Sequence, residues 1–559
     1  MSLNLDFADP EFASRRSPVL ARGGMVAASQ PLAAQAGLSI LQQGGNAADA
    51  AVATAAALNV TEPTSTGIGG DCFALFYDGK THEITALNGS GRAPKELNLS
   101  LLQRQGIRGE LPPFHAHTIT VPGAPAGWCD LAARHGRMSM REVLAPAIHL
   151  AEDGYPVAPL TAYFWGRAVE RQLHNSPGAR EYLLDGRSPR AGEIMRLPTL
   201  ARTFRAVAEG GKDAFYHGAI ASKIAATVQA QGGAMTEADL ARHESTWERP
   251  ISTAYRSVRL WECPPNGQGL AALLALNFLE GFELKKLAPL GVERMHLMIE
   301  AMRLAFADTQ WHVADPAFYP GFDEVLARLI SKAYAAERRK LIRRDRASLD
   351  TPPGVPAPAG AKAGQRVGSD TVYLSVVDGE GNACSFINSL YMGFGTGIVP
   401  EGTGISLQNR GYGFSLDPDH PNALAPGKRP YHTIIPAMVT READGSLFAS
   451  YGVMGGFMQP QGHMQVLVNL VDDRLDPQAA LDRPRFYVGG ARVDGDLALE
   501  EGVPAETVRR LSALGHEVWT LGGHERATFG RGQVILRDAV SGVLCAGSDP
   551  RADGQALGF

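Results

Sequence analysis

Thr371 stands where a hydroxyl could act as a nucleophile with its own base. It opens the run Thr371-Val372-Tyr373-Leu374-Ser375-Val376-Val377-Asp378, and Gly368-Ser369-Asp370 precedes it. Val372, Leu374 and Val376 alternate with Tyr373, Ser375 and Val377, which predicts a strand buried on both faces. Upstream, 351–364 is rich in Pro, Gly and Ala and predicts a loose linker, so that 351–370 is a mobile connection. A linker that runs into the first residue of a buried strand suits a chain cut between Asp370 and Thr371. Thr371 would then carry a free α-amine, which titrates near pH ~7.7 to 8.0. The neutral amine can accept the hydroxyl proton, directly or through a water, while the oxygen attacks a carbonyl. An acyl-enzyme follows, and water or an amine resolves it. The same hydroxyl can first attack the Asp370 carbonyl in an N-to-O acyl shift, which makes the cut.

Attack builds negative charge on the substrate oxygen, and two adjacent backbone N–H groups form a nest for it. Gly455-Gly456, after a strand, is the candidate oxyanion pair; two plain turn glycines are the alternative. Arg92, in the Gly-lined turn 88–94, is either an anion clamp or a solvated surface arginine. The Gly- and hydroxyl-rich loop 61–71 precedes a strand instead of a helix, which argues against phosphate binding.

The elements that must position these residues are read from periodicity and caps. A short strand at 25–28 leads to a helix over 32–43 that stops at Gly44-Gly45. Asn46 can cap a second helix over 47–59, in which Ala dominates; so little side-chain bulk suits a helix buried between layers. Strands are expected at 72–77, 84–87, 252–261 and 447–451. The 371–378 strand is expected to return through 383–387 as a hairpin. Helices are expected at 127–134, 140–151, 219–231, 270–279, 293–309, 324–341, 460–471 and 505–514. The basic residues Arg338, Arg339, Lys340, Arg343 and Arg344 read as a solvated face. Strands early, helices in the middle and strands late predict α/β layers that share one core.

Composition bounds the function classes. The chain has 559 residues, 45% hydrophobic and 20% charged, with a formal net charge of -5. That is a soluble globular composition with a large core. No basic stripe points to nucleic acid, and no polybasic run or apolar span points to a membrane. Cys72, Cys129, Cys263, Cys384 and Cys545 are scattered and form no CxxC pair, so reduced, mostly buried thiols are expected, with no metal site. A cytoplasmic protein is the expectation, or a periplasmic one if a signal peptide has been removed.

Taken together, these stretches resemble the γ-glutamyltransferase (γ-glutamyltranspeptidase) family of N-terminal-nucleophile hydrolases. The resemblance is carried by 24–59, 122–127, 263–269, 295–308, 371–382, 393–399, 427–430, Gly455-Gly456 and 547–551, in the family's order. It implies a four-layered αββα sandwich of the α+β type. It implies a self-cleaved heterodimer of 1–370 and 371–559, with pairing of two such heterodimers left open. It also implies no cofactor, a small-molecule amide substrate, and transfer of an acyl group, usually γ-glutamyl from glutathione, to water or an amine. The nucleophile position falls on Thr371, the oxyanion glycines on Gly455-Gly456, and the supporting hydroxyl on Ser389.

Substrate positions depart from the family pattern. The residues after the nucleophile, usually Thr and His, are Val372 and Tyr373, and an Asn position holds Tyr391. The Gln and Asp that bind the glutamyl α-amine fall on Arg410 and Gly413. The Ser-Ser pair for the α-carboxylate falls on His432 and Thr433. The clamping Arg falls on Ser90, with Arg92 two residues later. The stretch 414–429, which often carries a lid, is short. A cationic α-amine wants a carboxylate; replacing Asp by Gly and adding Arg410 favours an anion instead. With Arg92, Tyr391, Arg410, His432 and Thr433 as the substrate-binding set, an acidic acyl donor without a free α-amine is expected. Oxamate-type and glutaryl-type amides fit, as in the family's oxamate amidohydrolases and cephalosporin acylases, with water favoured as acceptor. The alternatives are an ordinary glutathione hydrolase or γ-glutamyltransferase, and an unprocessed scaffold without catalysis.

Overall fold

The Asp370–Asp378 strand lies in the middle of a seven-stranded antiparallel sheet, and the rest of the architecture is arranged about it. In this computed structural model residues 16–173, 176–355 and 370–559 are described. Most of the expected linker, 356–369, lies outside the described residues. The sheet order is Gln555–Gly558, Gly24–Ala28, Asp370–Asp378, Ala383–Tyr391, Asp71–Tyr77, Ile84–Gly89, Thr246–Glu248. A second antiparallel sheet of seven strands runs Val19–Ala21, Leu544–Ser548, Arg531–Arg537, Leu447–Met454, Ala437–Arg441, Val258–Glu262, Ile251–Tyr255. Both sheets take strands from before and after residue 370. The two halves therefore interleave in both sheets.

The sheets face each other, and helices cover the outer side of each. Pro31–Gln42 and Ala47–Thr61 pack on the first sheet, Gly269–Leu279 and Met458–Val471 on the second. This is the four-layered αββα sandwich. Asn46 caps the Ala-rich helix: its side chain accepts from Ala48 and Asp49 N–H, and the Asp49 carboxylate returns to the Asn46 N–H. Every residue of that helix is buried. Its small side chains let the preceding helix approach so closely that a Cβ on Gly37 would lie 2.1 Å from Thr54 Oγ1. Between the sheets, Ser375 Oγ donates to Ser450 Oγ at 2.6 Å, and the Tyr373 ring lies where a Cβ on Gly452 would stand, 2.5 Å away. Hydroxyls and small residues thus join the two sheets directly beneath the Thr371 strand.

Three expectations are corrected. The stretch read as one strand, 252–261, is a tight hairpin of Ile251–Tyr255 and Val258–Glu262; Arg256 takes φ 56° to turn it, a conformation that apolar patterning does not register. The helix read over 324–341 is two helices, Phe322–Ile330 and Lys332–Arg339. Ser331 breaks it with extended backbone and caps the second by accepting from the Tyr334 N–H. The basic run is only partly a solvated face. Arg338 is buried against Asp308, and Arg339 donates to the carbonyls of Asn277 and Phe278 at 2.9 and 2.7 Å. Those carbonyls end the Gly269–Leu279 helix, where a cation is favoured. Four of the five cysteines are buried thiols, with Cys129 half-buried. Among the described residues no helix is long and apolar enough to cross a membrane.

Candidate active site

The hairpin register slips at the residue expected to be the nucleophile. Asp370 faces Tyr391, but Val372 faces Asn388, so the return strand carries an extra residue opposite Thr371. Such a bulge re-aims side chains. It leaves Tyr391 at φ 84°, a strained position for an aromatic residue, costing roughly 1–3 kcal/mol. It also brings Ser389 Oγ to 3.1 Å from Thr371 Oγ1. Both hydroxyls are fully buried.

Ser389 is the hub of the site. Its hydroxyl donates to the carbonyl oxygen of Asp370 at 2.9 Å, the carbonyl of the bond expected to break. It accepts from the Tyr391 N–H at 2.8 Å and from Arg410 Nη2 at 3.2 Å. A hydroxyl has one proton to give. With that proton on Asp370 O and both lone pairs taken by Tyr391 and Arg410, the 3.1 Å contact to Thr371 Oγ1 is a close approach of two hydroxyl oxygens. Arg410 spans the site: Nη1 donates to Thr433 Oγ1 at 2.8 Å, and the guanidinium lies 4.1 Å above the Tyr391 ring. So Thr371, Ser389, Tyr391, Arg410 and Thr433 form one connected cluster.

His432 joins through a partner that sequence reading missed. Asp71 opens the Asp71–Tyr77 strand, and its Oδ2 lies 3.0 Å from His432 Nε2. Asp71 Oδ1 accepts from Gln408 Nε2 and from the N–H groups of Gly91 and Gly123, at 2.8, 2.9 and 3.2 Å. Burial pushes the Asp71 carboxyl up to about 6, against the lowering effect of Arg410 and these donors. Burial also holds His432 well below its ordinary value, helped by the charges of Arg410 and Arg429. The imidazole is therefore neutral. Its Nδ1 accepts from the Ile434 N–H at 3.3 Å, which puts the proton on Nε2, toward Asp71. A lone acid between a glycine loop and an apolar strand was the available signal for Asp71; its partner 361 positions away was not.

Gly455 and Gly456 end the Leu447–Met454 strand and precede the Met458–Val471 helix, with φ 134° and 60°. Only glycine adopts this pair readily, and it sits at the positive end of a helix. Gln268 ties the turn to the substrate side. Its Nε2 donates to the carbonyls of Thr433 and Gly456 at 2.6 and 2.8 Å, and its Oε1 accepts from Tyr431 OH at 3.0 Å. Arg92, half-exposed, donates to the Glu244 carbonyl at 3.3 Å. Its charge acts on the buried Arg429, which burial foremost pushes down to about 10. Elsewhere His296, Glu300 and His516 come together. There Arg303 Nε lies 3.9 Å from Glu300.

This geometry, a buried threonine at the head of a central strand with a hydroxyl and a glycine turn beside it, can be compared with known proteins. The family model of gamma-glutamyltranspeptidase matches residues 33–559. A glutathione hydrolase-like YwrD proenzyme of Bacillus subtilis is 36% identical over 542 residues, covering 96% of this chain and 98% of that one. An oxamate amidohydrolase proenzyme of Klebsiella pneumoniae is 35% identical over 545 residues, covering 96% and 98%. The crystal structure of a cephalosporin acylase from Bacillus halodurans superposes with a TM-score of 0.90 at 46% identity, covering 99% of both chains. The fold is that of the N-terminal-nucleophile hydrolases. The chain belongs to the gamma-glutamyltranspeptidase family, on the side of its acylase and oxamate amidohydrolase members.

Proposed function

We propose that the protein is a self-processing amidohydrolase that removes a small acidic acyl group through an ester on Thr371. The observation that carries this reading is the hydroxyl pair: Thr371 Oγ1 beside Ser389 Oγ, with Ser389 donating to Asp370 O. Thr371 Oγ attacks the Asp370 carbonyl, the C–N bond breaks, and the hydroxyl proton ends on the freed amine. Water then hydrolyses the ester, giving chains 1–370 and 371–559. In turnover the α-amine takes the Thr371 proton, the substrate carbonyl is attacked, and Gly455-Gly456 N–H groups receive the oxyanion. The amine leaves with the proton, and water releases the acid.

Arg410 and Thr433 support an anionic acyl group, while the position opposite offers Gly413 and no carboxylate for an α-amine. Asp71 is no substitute, since its oxygens already serve His432, Gln408, Gly91 and Gly123. The short 414–429 stretch is folded on itself: Asn422 Nδ2 donates to Gly413 O at 2.7 Å and Asn422 Oδ1 accepts from the Tyr431 N–H at 2.8 Å. That supports an open acceptor side and hydrolysis over transfer. The relatives named for oxamate and for acylase chemistry point the same way. The test is a donor panel on processed protein: oxamate, a glutaryl amide such as glutaryl-7-aminocephalosporanic acid, glutathione and γ-glutamyl-p-nitroanilide. Turnover of the first two over the last two is expected. Efficient γ-glutamyl release with neither of the others would return the protein to the glutathione hydrolases.

The site also sets a pH profile. The raised carboxyl of Asp71 protonates on acidification near pH 6, well above the ordinary carboxylate range. Protonation puts a hydrogen on an oxygen that now only accepts. Initial rates are expected to fall as pH drops through about 6, and the neutral α-amine should raise them again toward about 8. Asp71→Asn, which cannot titrate, should show a lower plateau without the limb near 6. The same limb persisting in Asp71→Asn would assign it to another group.

A further inference from the structure

The Asp370 side chain is 44% exposed, and each of its oxygens faces a fixed partner. Oδ2 accepts from the Gly393 N–H at 3.2 Å, and Oδ1 lies 3.9 Å from Arg531 Nη2. Both holders are themselves built in. Gln172 fixes the Gly393 turn by donating to the carbonyls of Met392 and Gly395 at 2.8 and 2.5 Å. Arg531, whose side chain is 8% exposed, pairs through Nη1 with Glu62 Oε1 at 3.1 Å. Glu62 Oε2 accepts from Ser29 Oγ at 2.5 Å, and the guanidinium lies 5.5 Å from the Phe164 ring centre. The Asp370 carboxylate thus lies between the Gly393 N–H and the Arg531 charge, while Ser389 donates to its carbonyl.

We propose that Arg531 is a positioning residue for self-cleavage, clamping the Asp370 side chain so that its carbonyl carbon stays in line with Thr371 Oγ. The proposal rests on Thr371 being the self-cleaving nucleophile. The acyl shift requires the reacting atoms to be held about 3–3.5 Å apart. Ser389 fixes one bond of the Asp370 acyl unit, and one contact leaves rotation about it. The clamp supplies the second point. Because Arg531 keeps Glu62 as partner, departure of the Asp370 end strands no buried cation. The clamp is needed once and is then dispensable.

The test follows full-length chain made by cell-free translation, sampled over time on denaturing gels. Asp370→Ala and Arg531→Ala should slow cleavage roughly ten- to a hundredfold. Asp370→Asn, which can still accept from Gly393, and Arg531→Lys should fall between these and wild type. The double variant Asp370→Ala/Arg531→Ala should be no slower than the slower single, since Arg531 acts on the cut only through the Asp370 side chain. Arg531→Ala also unpairs Glu62 and could fold poorly. Asp370→Ala leaves that pair intact, and its uncut chain should unfold at the same temperature as uncut Thr371→Ala. Asp370→Ala cleaving at the wild-type rate would overturn the clamp. So would single-variant effects that multiply, or slowing accompanied by a lower unfolding temperature. Wild-type chain that stays whole would instead overturn the reading of Thr371 on which the clamp depends.

Discussion

Thr371→Ala should abolish chain cleavage and turnover together, leaving one uncut band and a rate at least roughly ten-thousandfold below wild type. In the proposed mechanism the two losses are coupled, because one oxygen would serve both reactions. The uncut chain also lacks the α-amine that turnover needs, and both Thr371 and Arg410 are buried in it. A substrate could not reach them until the Asp370 end withdraws. Thr371→Ser keeps a hydroxyl at the bulge and should still be cut. A denaturing gel and an anilide-release assay read the two effects side by side. Two fragments from Thr371→Ala would place the nucleophile elsewhere and remove the basis of the mechanism.

Arg410→Gln should cost about 3 kcal/mol in kcat/KM, roughly a hundredfold, for a donor with a terminal carboxylate. The same variant should affect the methyl ester of that donor far less. The contrast matters because Arg410 has internal duties: it donates to Ser389 and Thr433 and lies over Tyr391. If these were its whole role, acid and ester would lose equally. Selective loss of the acid identifies a carboxylate held by the guanidinium. Gly413 contributes by omission. A Cβ there would lie 2.9 Å from the Tyr431 carbonyl oxygen, so the acidic residue that would hold an α-amine does not fit this backbone without a shift.

What could be read in advance was what is encoded locally. The Thr371 strand, its hairpin and the Asn46-capped alanine helix each follow from spacing and one capping residue. Thr371 and Gly455-Gly456 could be singled out because one element carries each, whereas Ser389 came only through the family resemblance. The Asp71–His432 pair, the Gln268 tie and the Arg531–Asp370 clamp could not. Each joins residues more than a hundred positions apart, and nothing in the local pattern of either member names the other. The same limit explains Arg338 and Arg339: a basic run reads as solvated until the helix end it caps is known. Arg256 and Ser331 show the reverse failure, where one residue's backbone conformation divides an element that patterning had left whole.

The Thr371 strand is hydrogen-bonded on one flank to Gly24–Ala28 and on the other to Ala383–Tyr391. A cut at its first residue would therefore sever the covalent chain at the seam of a sheet that stays knitted across it. The fragments could part only by tearing the central strand from its large-fragment neighbour, which is to unfold. Folding would have been a reaction of one molecule with itself; after the cut, recovery from denaturation would need two molecules to meet. Maturation at this bond would thus convert a refoldable polypeptide into one whose native state is held by history, and dilution alone would determine whether a melted enzyme returns.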